Sequence, residues 1–235
     1  MKYGLIGGSL GHSLSPFIHG EIFKRTGHDG EYSLCELRSD ELEHAFTLDG
    51  FNVTIPYKES IISYCSHLDV SADCGSVNCV KGRAGYNTDV YGFRKSIGVL
   101  GASLNSRVLL LGYGGAGKMA AHSVREAGGD LTIAARENIN TITGVFDLVV
   151  NSTPVGMFPN VGETPIDFTR IKTGYVLDLV YNPAETRLLA LARTSGAKVM
   201  NGLTMLVWQA VKSHEIWYGG KVSDEDANII IEALR

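Results

Sequence analysis

A lysine and an aspartate stand in segments whose other side chains could hold a small polar ligand. Lys58 lies in the stretch NVTIPYKE (52–59), and Asp89 ends the tripeptide NTD (87–89). An ammonium group and a carboxylate that meet at one oxygen atom can move a proton to or from it, which is general acid–base chemistry. Two ordinary readings stay open, because a lysine after a proline is usually a solvated side chain and Asp89 alone is a good helix N-cap.

A glycine-rich segment provides a second candidate site. The sequence GYGGAG (112–117) has the spacing G-x-G-x-x-G and follows the apolar run VLLL (108–111), which is typical of a strand buried on both faces of a parallel sheet. When such a loop opens a helix, its backbone amides can closely approach a pyrophosphate, so the segment predicts a dinucleotide site. The candidate contacts are Gly112, Gly114, Gly115, Ala116 and Gly117. The alternative is a glycine-rich turn without a ligand.

Arg136 bears on which dinucleotide binds. It stands 19 residues beyond Gly117, at the end of the next predicted strand, where NAD-preferring proteins carry an acidic residue for the ribose 2′-hydroxyl. An arginine there favours the 2′-phosphate of NADP, whereas the adjacent Glu137 would repel it, so NADP (NADPH) is the predicted cofactor and NAD is the alternative. Only 11 residues, Arg136 to Phe146, lead to the next strand, so we expect a truncated crossover helix.

An alternating α/β chain is needed to position these candidates. Predicted strands span 2–7, 31–37, 50–55, 76–81, 84–87, 108–111, 130–135, 147–151, 175–179 and 198–200. Predicted helices span 15–26, 39–46, 57–64, 89–98, 115–127, 185–195, 203–218 and 224–234, with Ser15 and Ser223 as N-caps of the first and last. The expected fold class is α/β with two lobes. Residues 95–202 are expected to form a Rossmann-like, doubly wound dinucleotide lobe, and residues 1–94 an N-terminal α/β lobe onto which the helices of 203–235 can fold back.

Length and composition exclude several classes of protein. The chain has 235 residues, 44% of them hydrophobic, which suits one large domain or two small lobes. Its net charge is −4 and no segment concentrates basic residues, so we expect no nucleic-acid partner. No run reaches the about 20 apolar residues of a membrane span, and the N-terminus has no signal-peptide pattern, so we expect a cytoplasmic protein without a membrane partner. No group of Cys, His and Asp has zinc-site spacing, and no metal is expected.

Several segments together resemble one family. In chain order they are GHSLSP (11–16), NVTIPYKE (52–59), GSVN (75–78), NTD (87–89) with GF (92–93), NSTPVGM (151–157), DLVYNP (178–183) and GLTMLVWQA (202–210). Their content and order resemble shikimate dehydrogenase over nearly the whole chain. The resemblance implies a substrate lobe and a Rossmann lobe.

The same resemblance implies a role for individual residues. Lys58 would contact the reacting oxygen and transfer the proton, and Asp89 would hold its ammonium and share the substrate hydroxyl. The other implied substrate contacts are Ser13 and Ser15 at the carboxylate, Asn52, Thr54 and Asn78 at the ring hydroxyls and carboxylate, Gln209 from the C-terminal helix, and Tyr181. Thr153, Gly156 and Met205 would hold the nicotinamide end of the cofactor.

The implied activity is the reversible NADPH-dependent reduction of 3-dehydroshikimate to shikimate, a step of aromatic amino acid biosynthesis. Two alternatives stay open: a paralogue that acts on quinate or another ring acid or uses NAD, and a non-catalytic nucleotide-binding protein of the same fold. Ala135 and Glu137 depart from the family's usual residues around Arg136, which bears on cofactor choice, and Cys79 replaces the usual threonine after Asn78. The expected assembly is a monomer or a homodimer.

Overall fold

The structure is a computed structural model that describes residues 1–135 and 138–235. The chain divides into two compact units, one formed by Met1–Gly92 together with Leu206–Arg235 and the other by Phe93–Met205. Which unit binds the substrate and which binds the cofactor stays a prediction at this stage.

The helices agree largely with those expected from hydrophobic periodicity. The α-helices that the structure describes are α1 (Ser15–Thr26), α2 (Thr88–Leu100), α3 (Gly115–Glu126), α4 (Arg187–Thr194), α5 (Leu203–Tyr218) and α6 (Asp224–Ala233). Ser223 caps α6 as predicted, because its side chain accepts a hydrogen bond from the Asp226 amide. The predicted cap at Ser15 is wrong: α1 begins at Ser15 itself, after Leu14, without a side-chain cap.

Two predicted helices are 3-10 helices instead. Ser39–Thr47 occupies the place of the helix expected at 39–46, and Ser60–Tyr64 covers only the second half of the helix expected at 57–64. Hydrogen bonds from the Tyr57 amide to the Thr54 carbonyl (2.9 Å) and from the Ile62 amide to the Glu59 carbonyl (3.2 Å) close i to i+3 turns. Periodicity over so few residues does not distinguish this tighter winding from an α-helix.

A six-stranded mixed sheet is the framework of the first unit. In sheet order its strands are β2 (Glu31–Glu36), β1 (Lys2–Gly7), β3 (Gly50–Val53), β5 (Cys79–Lys81), β6 (Ala84–Tyr86) and β4 (His67–Leu68). Strand β1 pairs in parallel with β2 and β3, and β5 runs antiparallel to β3 and β6. The two-residue β4 was not expected from the sequence.

The two faces of this sheet bury different side chains. Phe51 and Val53 of β3 pack into an apolar cluster on one face, and Asn52 between them points to the opposite face because side chains alternate along a strand. A second cluster holds Phe23 of α1 and Trp217 of α5, so these helices cover the face to which Asn52 points. Strand β3 therefore presents a polar amide beneath α5.

Five parallel strands form the sheet of the second unit. In sheet order they are β11 (Lys198–Met200), β10 (Ile171–Asp178), β9 (Gly144–Asn151), β7 (Arg107–Leu111) and β8 (Asp130–Ala134). Residues Val108 to Leu111 of β7 are fully buried, as predicted for a strand covered on both faces. The chain leaves β7 for β8 on one side and returns to β9 on the other, so the strand order reverses between β7 and β9. Ligands of doubly wound sheets bind beyond the carboxyl ends of the strands at such a reversal.

The connection from β8 to β9 is short, as its spacing predicts. It runs through residues 135–143, and its described part contains a single 3-10 turn, Ile139–Thr141, in place of a crossover helix. Ile139 and Ile142 pack beside the apolar cluster beneath α4 and cover part of the sheet face. None of the helices in the described ranges combines the length and the apolar character needed to cross a bilayer.

Candidate active site

Lys58 and Asp89 form an ion pair in the first unit. The Lys58 Nζ lies 2.6 Å from Oδ2 of Asp89, and the two side chains are 19% and 11% exposed. Lysine and aspartate are rarely this buried unless paired, and each group neutralises the other's charge here. Because the Lys58 side chain is paired and mostly buried, the solvated-lysine reading is wrong. Its residual exposure leaves the ammonium accessible to a small molecule.

Backbone contacts fix both members of the pair. The Lys58 carbonyl accepts a hydrogen bond from the Val77 amide (2.8 Å), which ties the 3-10 region to the chain entering β5. Asp89 sits in the first turn of α2, while the Asn87 side chain accepts a hydrogen bond from the Val90 amide at the helix start. The reading of Asp89 as the N-cap is therefore wrong. Asn87 caps the helix, and the Asp89 carboxylate accepts a hydrogen bond from Lys58.

Three of the predicted substrate residues lie in one buried network, which we call the amide cluster: Asn52, Asn78, Thr88, Gln209 and Ser213. Asn52 Nδ2 donates to the Asn78 carbonyl (3.1 Å) and to Ser213 Oγ (2.8 Å), and Asn78 Oδ1 accepts from the Thr88 amide (2.6 Å) and hydroxyl (3.2 Å). The Thr88 hydroxyl also lies 3.5 Å from Oε1 of Gln209, whose Nε2 donates to the Leu206 carbonyl. All five side chains are more than nine-tenths buried. Because Thr88 directly precedes Asp89 on α2, the first turn of this helix holds both the amide cluster and the ion pair in place.

Tyr32 of β2 completes the support of Asn52. Its hydroxyl donates to Asn52 Oδ1 at 2.8 Å, and its ring stacks on His19 of α1 with centroids 4.1 Å apart. Burial raises the pKa of the Tyr32 hydroxyl well above its usual value, so the hydroxyl keeps its proton and acts as a donor.

The remaining predicted residues of the first unit lie at the chain segments that follow β1 and β3. Ser15 is buried and Ser13 half-buried; Ser13 Oγ accepts a hydrogen bond from the Ser15 amide (3.2 Å). Thr54 is half-buried, and its methyl group faces Gly7, where an added Cβ would lie 2.7 Å from Thr54 Cγ2. The three hydroxyls have the donor capacity expected of a carboxylate site, and their contact with a substrate stays a prediction.

The glycine loop of the second unit is tightly packed at its two ends. Gly112 has φ of 88°, a left-handed conformation that favours glycine. A Cβ on Gly117 would lie 2.6 Å from the Gly112 carbonyl oxygen and 2.8 Å from Ser152 Oγ. The Ser152 hydroxyl in turn donates to the carbonyls of Leu111 and Gly112, which ties the loop after β7 to the loop after β9. The loop thus requires glycine where helix and turn meet.

Between these ends the loop is open and suits a pyrophosphate. A Cβ on Gly114 or Gly115 would meet no atom of the described residues within 4 Å, and Gly114, the N-cap of α3, gives the first-turn amides no side-chain partner. The first turn of α3 contains no acidic residue. Unpaired amides at the positive end of a helix dipole attract an anion, so these residues fit the phosphates of a dinucleotide.

Replacing Gly117 with alanine is expected to raise the Kd for NADPH at least about tenfold and to lower the free energy of unfolding by about 1–3 kcal/mol, because the new methyl group meets a backbone carbonyl that cannot easily move. Fluorescence titration and urea unfolding measure the two effects. Gly98→Ala is the matched control, since a Cβ on that residue of α2 meets no atom within 4 Å. An unchanged Kd in Gly117→Ala would contradict the role of this close contact.

A buried carboxylate organises the neighbouring strand ends. Asp178, fully buried at the end of β10, accepts hydrogen bonds from Asn151 Nδ2 (2.9 Å), the Val180 amide (3.0 Å) and the Thr186 hydroxyl (2.6 Å). Burial raises the pKa of its carboxyl, against the effect of these donors. Asn151 Oδ1 in turn accepts from the amide (3.0 Å) and hydroxyl (2.6 Å) of Thr153. Thr153 is thus held in place at the end of β9, near the glycine loop.

Three other predicted residues of the second unit have more ordinary settings. Gly156 has φ of 92°, and a Cβ there would lie 3.3 Å from the Glu163 carbonyl, so glycine is required for local geometry. Tyr181 and Met205 are half-buried, and burial raises the pKa of the Tyr181 hydroxyl. Their contacts with substrate or cofactor stay predictions.

Arg136, the predicted contact of the 2′-phosphate, lies outside the described residues together with Glu137. A search of the described ranges finds no group of three or more His, Cys, Asp and Glu side chains that could hold a metal ion.

The sequence reasoning missed Tyr32, Ser213 and Asp178. Ser213 lies four residues after Gln209, one helical turn along α5, and that spacing is the signal that could have identified it. Tyr32 gave no local signal, because its link to Asn52 depends on the parallel pairing of β1 with both β2 and β3. Asp178 was part of the quoted motif DLVYNP, but its role follows only from its burial.

A family model and a full-length relative both match the sequence of this chain. A sequence model described as the shikimate dehydrogenase substrate binding domain matches residues 5–80. The shikimate dehydrogenase (NADP(+)) of Caldicellulosiruptor saccharolyticus is 37% identical over an alignment of 258 positions that covers 92% of this chain and 92% of that protein.

Solved structures match both units at once. A chorismate mutase/shikimate 5-dehydrogenase fusion protein from Clostridium acetobutylicum has a TM-score of 0.91 with 32% identity, covering 99% of this chain and 96% of that one. Shikimate 5-dehydrogenase from Thermus thermophilus, in complex with NADP(H) and shikimate, has a TM-score of 0.89 with 28% identity and full coverage of both chains.

A mixed α/β unit carrying a lysine–carboxylate pair, joined to a doubly wound unit with an open glycine loop, defines a two-domain oxidoreductase of the dinucleotide-dependent class. The predicted fold class is therefore confirmed. The chain belongs to the shikimate dehydrogenase family.

Proposed function

We propose that this protein catalyses the reversible NADPH-dependent reduction of 3-dehydroshikimate to shikimate, the reaction for which its relatives are named. The observation that carries the proposal is the Lys58–Asp89 pair, with an Nζ–Oδ2 distance of 2.6 Å, held against the amide cluster by α2. Reduction of a ring ketone requires a proton donor beside the carbonyl oxygen and several polar anchors for the ring, and the closeness of the ion pair to the amide cluster supports both roles.

The proposed mechanism divides the work between these residues. In reduction, the Lys58 ammonium donates a proton to the carbonyl oxygen as the ring carbon receives a hydride; in oxidation, the Lys58 amine accepts the proton of the substrate hydroxyl. Asp89 keeps the Lys58 nitrogen at the reacting position through their hydrogen bond and lies beside the same hydroxyl. Asn52, Asn78 and Gln209 orient the ring, and the Ser13 and Ser15 hydroxyls bind its carboxylate.

The second unit would hold the cofactor. Gly114, Gly115, Ala116 and Gly117 would bind the pyrophosphate through backbone amides at the start of α3, and Thr153, Gly156 and Met205 would line the nicotinamide end. When bound, NADPH supplies the hydride. The short connection that follows β8 leaves the adenosine end without a crossover helix among the described residues.

A spectrophotometric assay tests the proposal directly. Reduction of NADP and of NAD is followed at fixed enzyme concentration with shikimate and with quinate, and the four values of kcat/KM are compared. We expect shikimate with NADP to be the best pair. A preference for quinate would identify the paralogue, and tight NADPH binding without turnover of either acid would identify a non-catalytic nucleotide-binding protein.

Arg136→Ala is expected to raise the KM for NADPH by at least about tenfold while leaving the KM for NADH nearly unchanged, because only NADPH carries the 2′-phosphate that a guanidinium binds. Steady-state kinetics with both cofactors measure the difference. Equal changes for the two cofactors would mean that Arg136 does not read the 2′-phosphate.

The same proposal includes the setting in which the enzyme works. The net charge is −4 and the sequence has no basic cluster, which favours an enzyme without a nucleic-acid partner. Its proposed substrates are small soluble molecules, which favours a cytoplasmic enzyme without a membrane partner. The proposed assembly is a monomer or homodimer.

A further inference from the structure

Ser213 is a fully buried serine whose hydroxyl joins three neighbours in the amide cluster. It donates to the Gln209 carbonyl one turn back along α5 (3.0 Å), accepts from Asn52 Nδ2 (2.8 Å) and contacts the Thr88 hydroxyl (3.1 Å). A serine hydroxyl has one proton and two lone pairs, so Gln209 and Asn52 use the proton and one lone pair, and the Thr88 hydroxyl lies against the remaining side. Ser213 is therefore directed at protein atoms and has nothing left to offer a ligand.

The contact with Ser213 is one of three that orient the Asn52 amide. Both hydrogens of Asn52 Nδ2 are used, one by Ser213 Oγ and the other by the Asn78 carbonyl, and the Tyr32 hydroxyl donates to Oδ1. Rotating the amide by half a turn would set its oxygen against the Asn78 carbonyl. Asn52 can therefore offer a ligand only the second lone pair of Oδ1, which makes it an acceptor.

The Asn78 amide is oriented in the opposite sense. Its Oδ1 accepts from both the amide and the hydroxyl of Thr88, which leaves Nδ2 as the end that can meet a ligand. No described residue accepts a hydrogen bond from Asn78 Nδ2, although the residue is only 3% exposed. Asn78 is therefore a donor, and it directly precedes Cys79, the residue of β5 that pairs with Asn52.

We propose that Ser213 and Thr88 are positioning residues that orient the side-chain amides of Asn52 and Asn78. In this orientation the two amides present one acceptor, Asn52 Oδ1, and one donor, Asn78 Nδ2, to a single ring hydroxyl of the substrate. A hydroxyl is the group that satisfies both at once, since it donates one hydrogen bond and accepts others. A hydrogen, a keto oxygen or a methyl ether at the same ring position leaves at least one of the two unpaired. The inference rests on the proposed function and adds to it the basis of hydroxyl recognition.

The test is a double-mutant cycle in which the Ser213 hydroxyl of the protein and one ring hydroxyl of the substrate are removed separately and together. Values of kcat and KM are measured for wild type and Ser213→Ala with shikimate and with the two analogues that each lack one of its non-reacting ring hydroxyls. Wild type is expected to prefer shikimate over one of the analogues by on the order of 100-fold or more in kcat/KM, because an unpaired buried amide penalises the missing hydroxyl.

In Ser213→Ala the Asn52 amide loses one of the three contacts that hold it, so its orientation is less restricted. We expect the KM for shikimate to rise about tenfold, kcat to stay within about threefold, and the preference over that analogue to fall about tenfold. The Kd for NADPH should not change. Ser123→Ala is the matched control, since Ser123 is a fully buried serine on α3 whose hydroxyl has no hydrogen-bond partner among the described residues, and it should leave the preference unaltered.

Two outcomes would overturn the inference: a wild type that tolerates loss of either hydroxyl, or a Ser213→Ala variant that keeps the full preference. If Ser213→Ala does not unfold cooperatively, Thr88→Val, which removes the other hydroxyl at nearly constant volume, takes its place with Thr88→Ser as control. A wild type that does not oxidise shikimate at all overturns the proposed function instead, so the two failures are distinguishable.

Discussion

Replacing Lys58 with alanine is expected to lower kcat by about 10²–10⁴-fold, the contribution that a positioned general acid usually makes. The reason is geometric: the Lys58 Nζ is held 2.6 Å from Asp89 in a mostly buried setting, and the described structure offers no second ammonium beside this carboxylate. The KM for shikimate should change by less than about tenfold, because the proton transfer is needed in the transition state and the ring keeps its amide and hydroxyl contacts.

Steady-state kinetics with saturating NADP measure both constants. Lys24→Ala is the matched control, because the Lys24 side chain is 77% exposed and its partner Glu21 lies on the same helix. Added methylammonium should restore part of the activity of Lys58→Ala and none of the activity lost by a variant of the glycine loop. Near-normal turnover in Lys58→Ala would exclude the lysine as the proton donor.

The parts of the fold that the sequence predicted are those whose local pattern and tertiary environment agree. Residues 108–111 form a continuous apolar run, and the structure buries all of them between two layers of the second unit. The glycine loop followed from the same agreement, since strand, turn and helix start are adjacent in the chain. The 3-10 helices at Ser39–Thr47 and Ser60–Tyr64 were not predictable, because they connect strands over distances set by the sheet and not by their own periodicity.

The candidate site was predictable only where residues share a segment. The approach of Lys58 to Asp89 depends on β3, β5 and α2 meeting at one edge, and no spacing in the chain encodes that distance. For the same reason the sequence leaves Asp89 open as the cap of α2, although Asn87 is equally suited by residue type. Ser213 has a single signal in the sequence, its spacing of four residues from Gln209, and its partner Asn52 lies 161 positions away, so its role follows only from the fold.

Acidification from pH 8 to pH 5 is expected to destabilise the first unit by about 4 kcal/mol, which is a large part of the about 5–15 kcal/mol of a typical domain. Two histidines carry this expectation. His19 is fully buried, and neither ring nitrogen makes a hydrogen bond of good geometry to a described residue; His214 is 1% exposed, with Nε2 2.9 Å from Nδ1 of His28. Their rings pack among aromatic side chains of α1, β2 and α5, including Tyr32 and Tyr218, and none of these ring contacts brings a carboxylate.

Burial lowers the pKa of His19 to about 3, and burial together with the neighbouring His28 lowers the pKa of His214 to about 4. Both pKa values lie below the about 6.5 of an unfolded histidine, so the folded protein keeps these rings neutral while the unfolded chain binds protons. The free energy of unfolding is therefore highest above pH 6.5. It decreases as the pH falls towards the pKa values of the two histidines in the folded protein. Each histidine contributes a loss of about 2 kcal/mol by pH 5, since one pH unit corresponds to about 1.4 kcal/mol for one proton.

Urea unfolding at several pH values between 8 and 5 measures this loss, followed by the fluorescence of Trp217, which is buried beside His19. His19→Phe keeps the stacking partner of Tyr32 and removes one titrating group, so its free energy of unfolding should fall about half as steeply with decreasing pH as that of the wild type. His44→Gln, at an exposed position, is the control and should keep the wild-type slope. An equal slope in His19→Phe would mean that other groups govern the acid sensitivity, and the burial of a neutral imidazole in α1 would then have no part in it.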